Sequence, residues 1–284
     1  MNEWIDPQQL ASRLRESDAP IVADCRFVLS DPAAGEAAYR EGHIPGAVYL
    51  DLERTLSAPK RADGRGGRHP LPDPEALAAA LGAAGIDRHT PVVAYDDQGG
   101  AMAARLVWLL RWLGHEGGTA ILDGGFAAWK AAGQPVEAGP PAGAQPARTF
   151  VPEVRRDMAL SMDDVRQRLG RPGVVLIDSR EAPRYRGEME PIDPKAGHIP
   201  GAVNRFWKDG LDESGRWLPP ERQRERFADL ADADEIVVYC GSGVTACPNV
   251  LALEAAGFRN VRLYAGSWSD WVSDPDNPIA TGEE

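Results

Sequence analysis

Cysteine is scarce in this chain: Cys25, Cys240 and Cys247 are the only three in 284 residues. So small and odd a set does not build a disulfide framework. Paired metal ligands are missing too. The five histidines (His43, His69, His89, His115 and His198) are scattered, and no Cys or His pair has the spacing of a structural zinc site. No apolar run is long enough to span a bilayer. The opening MNEWIDPQQLASRL lacks the basic stretch, apolar core and cleavage site of a secretory leader. It reads as a folded start, with Asp6 capping a helix and Pro7 in its first turn. The expected compartment is the cytoplasm. Positive charge is in deficit as well, with 31 Lys and Arg against 43 Asp and Glu, a formal net charge of −12. A field of that sign repels nucleic acid and anionic membranes, so any anion-binding site must be local. No metal and no organic cofactor is expected.

What is present is a duplication. EGHIPGAVYL at 41–50 recurs as AGHIPGAVNR at 196–205, an offset of 155 residues. Before each copy an apolar run ends in an acid and a base, IVADCR (21–26) and VVLIDSR (174–180). After each comes another short apolar run, PVVAYDD (91–97) and EIVVYCG (235–241), and then LDGGFAAW (122–129) against YAGSWSDW (264–271). Between the halves, EAGPPAGAQPARTFVPE (137–153) is rich in Pro, Gly and Ala and reads as a linker. The expected organisation is a first domain over 1–138, a linker over 139–154 and a second domain over 155–284, opened by a helix cap at Ser161. Short β-branched runs alternate with helical stretches such as AMAARLVWLLRWLG (101–114) and VLALEAAGF (250–258), the pattern of parallel strands joined by crossover helices. Each half is therefore expected to be a small α/β domain. Its ligand should sit beyond the carboxyl ends of the strands.

Cys240 falls where such a strand stops. Gly241, Ser242 and Gly243 follow, then a helix. Glycines let amides turn inward on one point, and the helix adds its positive end, an environment that favours a thiolate or persulfide anion. Fixed cations that could hold an anion through paired hydrogen bonds, Arg180, Arg184, Arg186 and Lys195, are supplied by DSREAPRYRGEMEPIDPKAGHIPGA. A cysteine phosphatase would carry Arg six residues after its cysteine. Ala246 stands there instead.

CGSGVTAC (240–247), together with the two copies of GHIPGA, resembles the tandem rhodanese-domain sulfurtransferases, and the resemblance covers nearly the whole chain. It implies two rhodanese-like domains, each a small parallel sheet flanked by helices. It also implies that Cys240 takes sulfur from a small anionic donor as a persulfide and passes it to a thiol, cyanide or a thioredoxin-like acceptor. Asp96 aligns with Cys240 in the first half and cannot carry sulfur, so that domain is expected to be inactive. The neutral loop resembles the 3-mercaptopyruvate branch. The thiosulfate branch, which commonly carries basic residues here, is the alternative, and a non-catalytic sulfur-binding or regulatory module is a third reading. By resemblance, Arg184 binds substrate, with Arg186 and the loop residues Gly241, Gly243, Val244 and Thr245 beside it. The mercaptopyruvate branch usually has another arginine where this chain has Ile192. A proton relay from Ser242 to His69 and Glu53 is implied as well. His43 and His198 are expected to be structural. Cys25 and Cys247 are expected to pack in the core, and so is Trp268, which could also border the pocket.

Overall fold

The computed structural model describes residues 3–140 and 145–283, and the chain divides into two compact units. The first comprises Met1–Ala58, Pro72–Arg155 and Glu213–Trp217; the second comprises Pro59–Leu71, Arg156–Asp212 and Leu218–Glu284. Of the expected linker 139–154, residues 141–144 lie outside the described residues. The stretch after them is clipped to the first unit: the Arg148 amide donates to the Gly82 carbonyl at 2.9 Å and the Glu153 amide to the Leu113 carbonyl at 2.9 Å.

The first unit is built on a five-stranded sheet of β1 (Trp4–Ile5), β2 (Ile21–Asp24), β3 (Val48–Tyr49), β4 (Val92–Tyr95) and β5 (Thr119–Leu122), in the order β1-β5-β4-β2-β3. The second repeats it with β6 (Ala159–Leu160), β7 (Val174–Asp178), β8 (Ala202–Asn204), β9 (Glu235–Tyr239) and β10 (Val261–Tyr264), in the order β6-β10-β9-β7-β8. Every pairing is parallel. The central strands are the β-branched runs, because a parallel strand is covered on both faces and needs side chains that fill both. The edge strands β1 and β6 are two residues long, which leaves little unpaired edge. No helix among the described residues is long and apolar enough to cross a membrane.

The helices start where their caps predict. The Gln9 amide donates to Asp6 Oδ1 at 2.9 Å, and the Asp164 amide donates to Ser161 Oγ at 3.2 Å. The expected helices over 101–114 and 250–258 occupy Ala101–Trp112 and Cys247–Ala255.

The duplication extends to buried hydrogen bonds. Arg26 Nη2 donates to Asp24 Oδ2 at 2.6 Å and to the Gly42 carbonyl at 2.7 Å; Arg180 Nη2 donates to Asp178 Oδ2 and to the Gly197 carbonyl, both at 2.6 Å. Each arginine thus ties the end of a strand to the turn carrying GHIPGA. Within those turns the imidazoles of His43 and His198 stack on Tyr39 and Tyr185, with centroids 4.0 and 3.8 Å apart. Nδ1 of each contacts the carbonyl oxygen of its tyrosine, at 2.8 and 2.7 Å. Both histidines are fully buried and serve the fold.

Candidate functional site

β9 lies between β10 and β7, so its carboxyl end opens at the centre of the second sheet, and Cys240 is the residue that follows it. The loop from Gly241 to Ala246 then leads into the helix at Cys247. The Gly243 amide donates to Cys240 Sγ at 3.2 Å. Gly243 has φ +76°, and a Cβ there would collide with the Ala265 carbonyl, so the inward turn of this amide needs glycine.

A second segment, 264–271, anchors the loop from below. The Cys240 amide donates to Ser267 Oγ at 3.1 Å, the Trp268 amide to the Cys240 carbonyl at 3.0 Å and the Ser269 amide to the Gly241 carbonyl at 2.9 Å. Ser267 holds φ +56°, a conformation that costs a non-glycine residue energy and is kept where surrounding contacts fix it. Trp268 is fully buried; its Nε1 donates to the Lys195 carbonyl at 2.8 Å, and the Arg180 guanidinium lies 4.8 Å over its ring. It packs beneath the site.

Cys240 itself is 1 % exposed and Ser242 8 %. His69 reaches this loop from residues 59–71, which belong to the same compact unit, and its Nδ1 lies 2.8 Å from Ser242 Oγ. That segment is held on the second unit by the Gly66 amide donating to Asp270 Oδ1 at 2.8 Å and the Arg68 amide donating to Ser269 Oγ at 3.0 Å. Glu53, the other expected relay residue, belongs to the first unit, on a turn where its amide donates to Asp51 Oδ1 at 2.9 Å.

Two guanidinium groups converge on Gly241. A Cβ at that residue would stand 2.7 Å from Arg68 Nη2 and 3.5 Å from Arg184 Nη2. Arg184 donates to Glu190 through Nη2 at 2.7 Å and Nε at 3.1 Å, and Arg68 is paired with Asp193. Burial pushes the Asp193 carboxyl up despite that pairing. Glu190 is desolvated as well, but the Asp193 amide and Arg184 hold its carboxyl below the usual range. Of the other expected residues, Val244 is buried and Thr245 half-buried in the loop. Arg186 turns to Glu188 at 2.7 Å and Glu283 at 3.3 Å. Arg180 is a structural ion pair, and Ile192 is exposed. Arg68 and Asp193 were not singled out from the sequence. Arg68 sits in a glycine-rich stretch without periodicity, and nothing local ties it to a loop more than 170 residues further on.

The remaining cysteines are buried. Cys25 follows β2, and the Cys247 thiol donates to the Gly243 carbonyl at 3.3 Å. In the first unit Asp96 takes the place of Cys240. Its Oδ1 accepts the amides of Gln98 and Gly100, both at 2.8 Å, and its Oδ2 those of Met102 at 2.8 Å and Ala103 at 3.0 Å. That loop has closed around its own carboxylate.

The Rhodanese-like domain family matches this chain twice, over residues 6–132 and 161–274. A probable 3-mercaptopyruvate sulfurtransferase of Pseudomonas aeruginosa is 52% identical over 284 residues, covering 99% of each chain. A putative thiosulfate sulfurtransferase of Mycobacterium tuberculosis is 39% identical over 282 residues, covering 98% of this chain and 96% of its own. Among solved structures, the 3-mercaptopyruvate sulfurtransferase of Escherichia coli superposes with TM-score 0.80 at 30% identity, over 94% of this chain and 99% of that one. With the duplicated sheet and the cysteine loop at the end of β9, these matches show that the chain belongs to the rhodanese family, as a sulfurtransferase with two tandem rhodanese domains.

Proposed function

We propose that Cys240 accepts sulfur from 3-mercaptopyruvate and carries it as a persulfide to a thiol or cyanide acceptor. The Cys240 thiolate attacks the donor's sulfur, an S–S bond forms, and the C–S bond breaks with its electron pair leaving on the pyruvate enolate. That enolate takes up one proton and departs as pyruvate. The acceptor thiolate or cyanide then attacks the outer sulfur and regenerates the Cys240 thiolate. The Gly243 amide stabilises negative charge on Sγ in both half-reactions. Arg184 supplies the cation for the donor's carboxylate.

The observation that favours this donor is the 2.8 Å contact between Ser242 Oγ and His69 Nδ1, two residues from the nucleophile. It offers a hydroxyl–imidazole pair from which the enolate takes its proton. Thiosulfate leaves as sulfite and needs no such proton. The 52% identity to a probable 3-mercaptopyruvate sulfurtransferase points the same way. Thiosulfate is the second reading, supported by the 39% identical relative of that description and by the uncharged, exposed Ile192.

Side-by-side steady-state kinetics tests the choice, with a higher kcat/KM expected for 3-mercaptopyruvate. A higher value for thiosulfate overturns it. Intact-mass analysis after donor treatment should show one added sulfur on the wild-type protein and none on Cys240→Ser.

A further inference from the structure

The short helix Ser267–Trp271 holds two neighbours at once. Its backbone grips the Cys240 loop, through the Trp268 and Ser269 amides on the Cys240 and Gly241 carbonyls. Its side chains grip the segment that carries His69: Ser269 Oγ accepts the Arg68 amide at 3.0 Å and Asp270 Oδ1 accepts the Gly66 amide at 2.8 Å. Between those two amides, a Cβ on Gly67 would collide with the Gly266 carbonyl, so the segment lies close against the helix. Asp270 Oδ2 accepts the Tyr264 hydroxyl at 2.8 Å. Asp270 is 5 % exposed, and burial pushes its carboxyl up against the pull of these two donors.

A carboxylate taken out of water is costly and calls for a reason. The two copies of the repeat supply one. Leu122, Ala127 and Ala128 of the first stand where the second has Tyr264, Ser269 and Asp270. The backbone grip recurs in the first unit, where the Phe126 amide donates to the Asp96 carbonyl at 3.0 Å. The side-chain grip does not. That unit holds residues 213–217 by a different residue, with the Trp217 amide donating to Asp123 Oδ1 at 2.9 Å. The sheet and its loop therefore form without the three polar groups, which accompany only the copy that carries Cys240.

We propose that Tyr264, Ser269 and Asp270 form a seat that sets the register of residues 64–69 and thereby brings His69 to Ser242. They are positioning residues for the proton transfer, a role that rests on the relay proposed above. Tyr264 aims the Asp270 carboxylate, Asp270 and Ser269 fix the amides of Gly66 and Arg68, and His69 is the next residue along. Its Nδ1 then falls 2.8 Å from Ser242 Oγ.

Two measurements on the full chain test this. In steady-state assays with 3-mercaptopyruvate, Asp270→Ala should lower kcat about ten-fold with KM nearly unchanged, because a misplaced proton donor slows the chemistry and not the binding. Asp270→Asn, whose side-chain carbonyl still accepts the Gly66 amide, should recover most of that loss. With thiosulfate, Asp270→Ala should change kcat by no more than about two-fold, since sulfite leaves without a proton. Added to Ser242→Ala, the same substitution should cost little more than Ser242→Ala alone, as two changes on one path are not additive. Ser269→Ala removes one hydroxyl and no buried charge; it should show the same pattern at smaller amplitude, and it serves if Asp270→Ala does not fold. The second measurement needs no turnover. Amide hydrogen exchange should rise over residues 64–69 in Asp270→Ala and Ser269→Ala while the peptide carrying Cys240 keeps its protection. Unchanged exchange over 64–69 overturns the seat, and so does equal loss of protection in the Cys240 loop. Equal slowing with both donors, or full additivity with a donor-selective Ser242→Ala, overturns the positioning role. If exchange follows the prediction but Ser242→Ala is itself unselective between donors, the relay reading has failed and the seat stands.

Discussion

At Ser242 the chemistry of the two donors separates. Its hydroxyl sits 2.8 Å from His69 Nδ1, and in the proposed mechanism removing it breaks the path by which a proton reaches the leaving enolate. General acid catalysis of this kind is typically worth at least a hundred-fold. Ser242→Ala should therefore lower kcat/KM for 3-mercaptopyruvate by about a hundred-fold while changing that for thiosulfate only a few-fold. Equal losses with both donors would mean that the hydroxyl merely tightens the turn. The two partners were legible to different degrees. Ser242 stands in the loop that the cysteine itself points to. His69 was suggested by resemblance, because 173 residues separate it from Ser242 and no periodicity links them. Arg68 was not legible at all: a solvated surface arginine and one folded back over the Cys240 loop look the same in sequence.

The loop from Cys240 to the helix at Cys247 depends on one backbone conformation. Gly243, at φ +76°, brings its amide onto Sγ while its α-carbon lies against the Ala265 carbonyl. Gly201, in the GHIPGA turn of the same unit, has nearly the same dihedral, φ +77°, but nothing stands within 4 Å of where its Cβ would be. The two positions separate conformational strain from steric overlap. Gly201→Ala should cost about 1 kcal/mol, the ordinary penalty of a left-handed non-glycine residue. Gly243→Ala should cost roughly 3 kcal/mol and remove sulfur uptake as the amide is displaced. Denaturant melts of the two variants, compared with wild type, check this; similar losses would mean that the loop yields to the added methyl. The glycines announced a tight turn in the sequence. The carbonyl that makes only one of them sterically necessary belongs to Ala265, the residue after β10, brought there because β10 pairs with β9.

The whole molecule is one design used twice, and the copies differ in what fills the loop at the end of the middle strand. Repeated landmarks in the sequence carried both sheets and the Asp–Arg bonds at the ends of β2 and β7, since these recur at one offset and in one order. Less legible was the exchange of short segments, with residues 59–71 clustering with the second unit and residues 213–217 with the first, because loops rich in Gly, Pro and charge bear no mark of the core they join. The two loops also hold different side chains. Around Asp96 four amides converge on a buried carboxylate, so in the first unit an anion-binding loop has become a structural bond. Burial raises the Asp96 carboxyl, and the amides of Ala103, Gln98, Gly100 and Met102 oppose that rise. Asp96→Asn keeps the shape but turns one end of the side chain into a donor facing two amide donors, which should cost roughly 2–4 kcal/mol of stability. Cys240, Ser242, Gly243, His69 and Arg184 all belong to the second unit. Calorimetric melts should therefore show earlier unfolding for the variant, while its sulfur uptake at low temperature stays at the wild-type rate. A variant that melts as wild type does but takes up no sulfur would instead give Asp96 a part in the chemistry, contrary to a purely structural role for its four amide bonds.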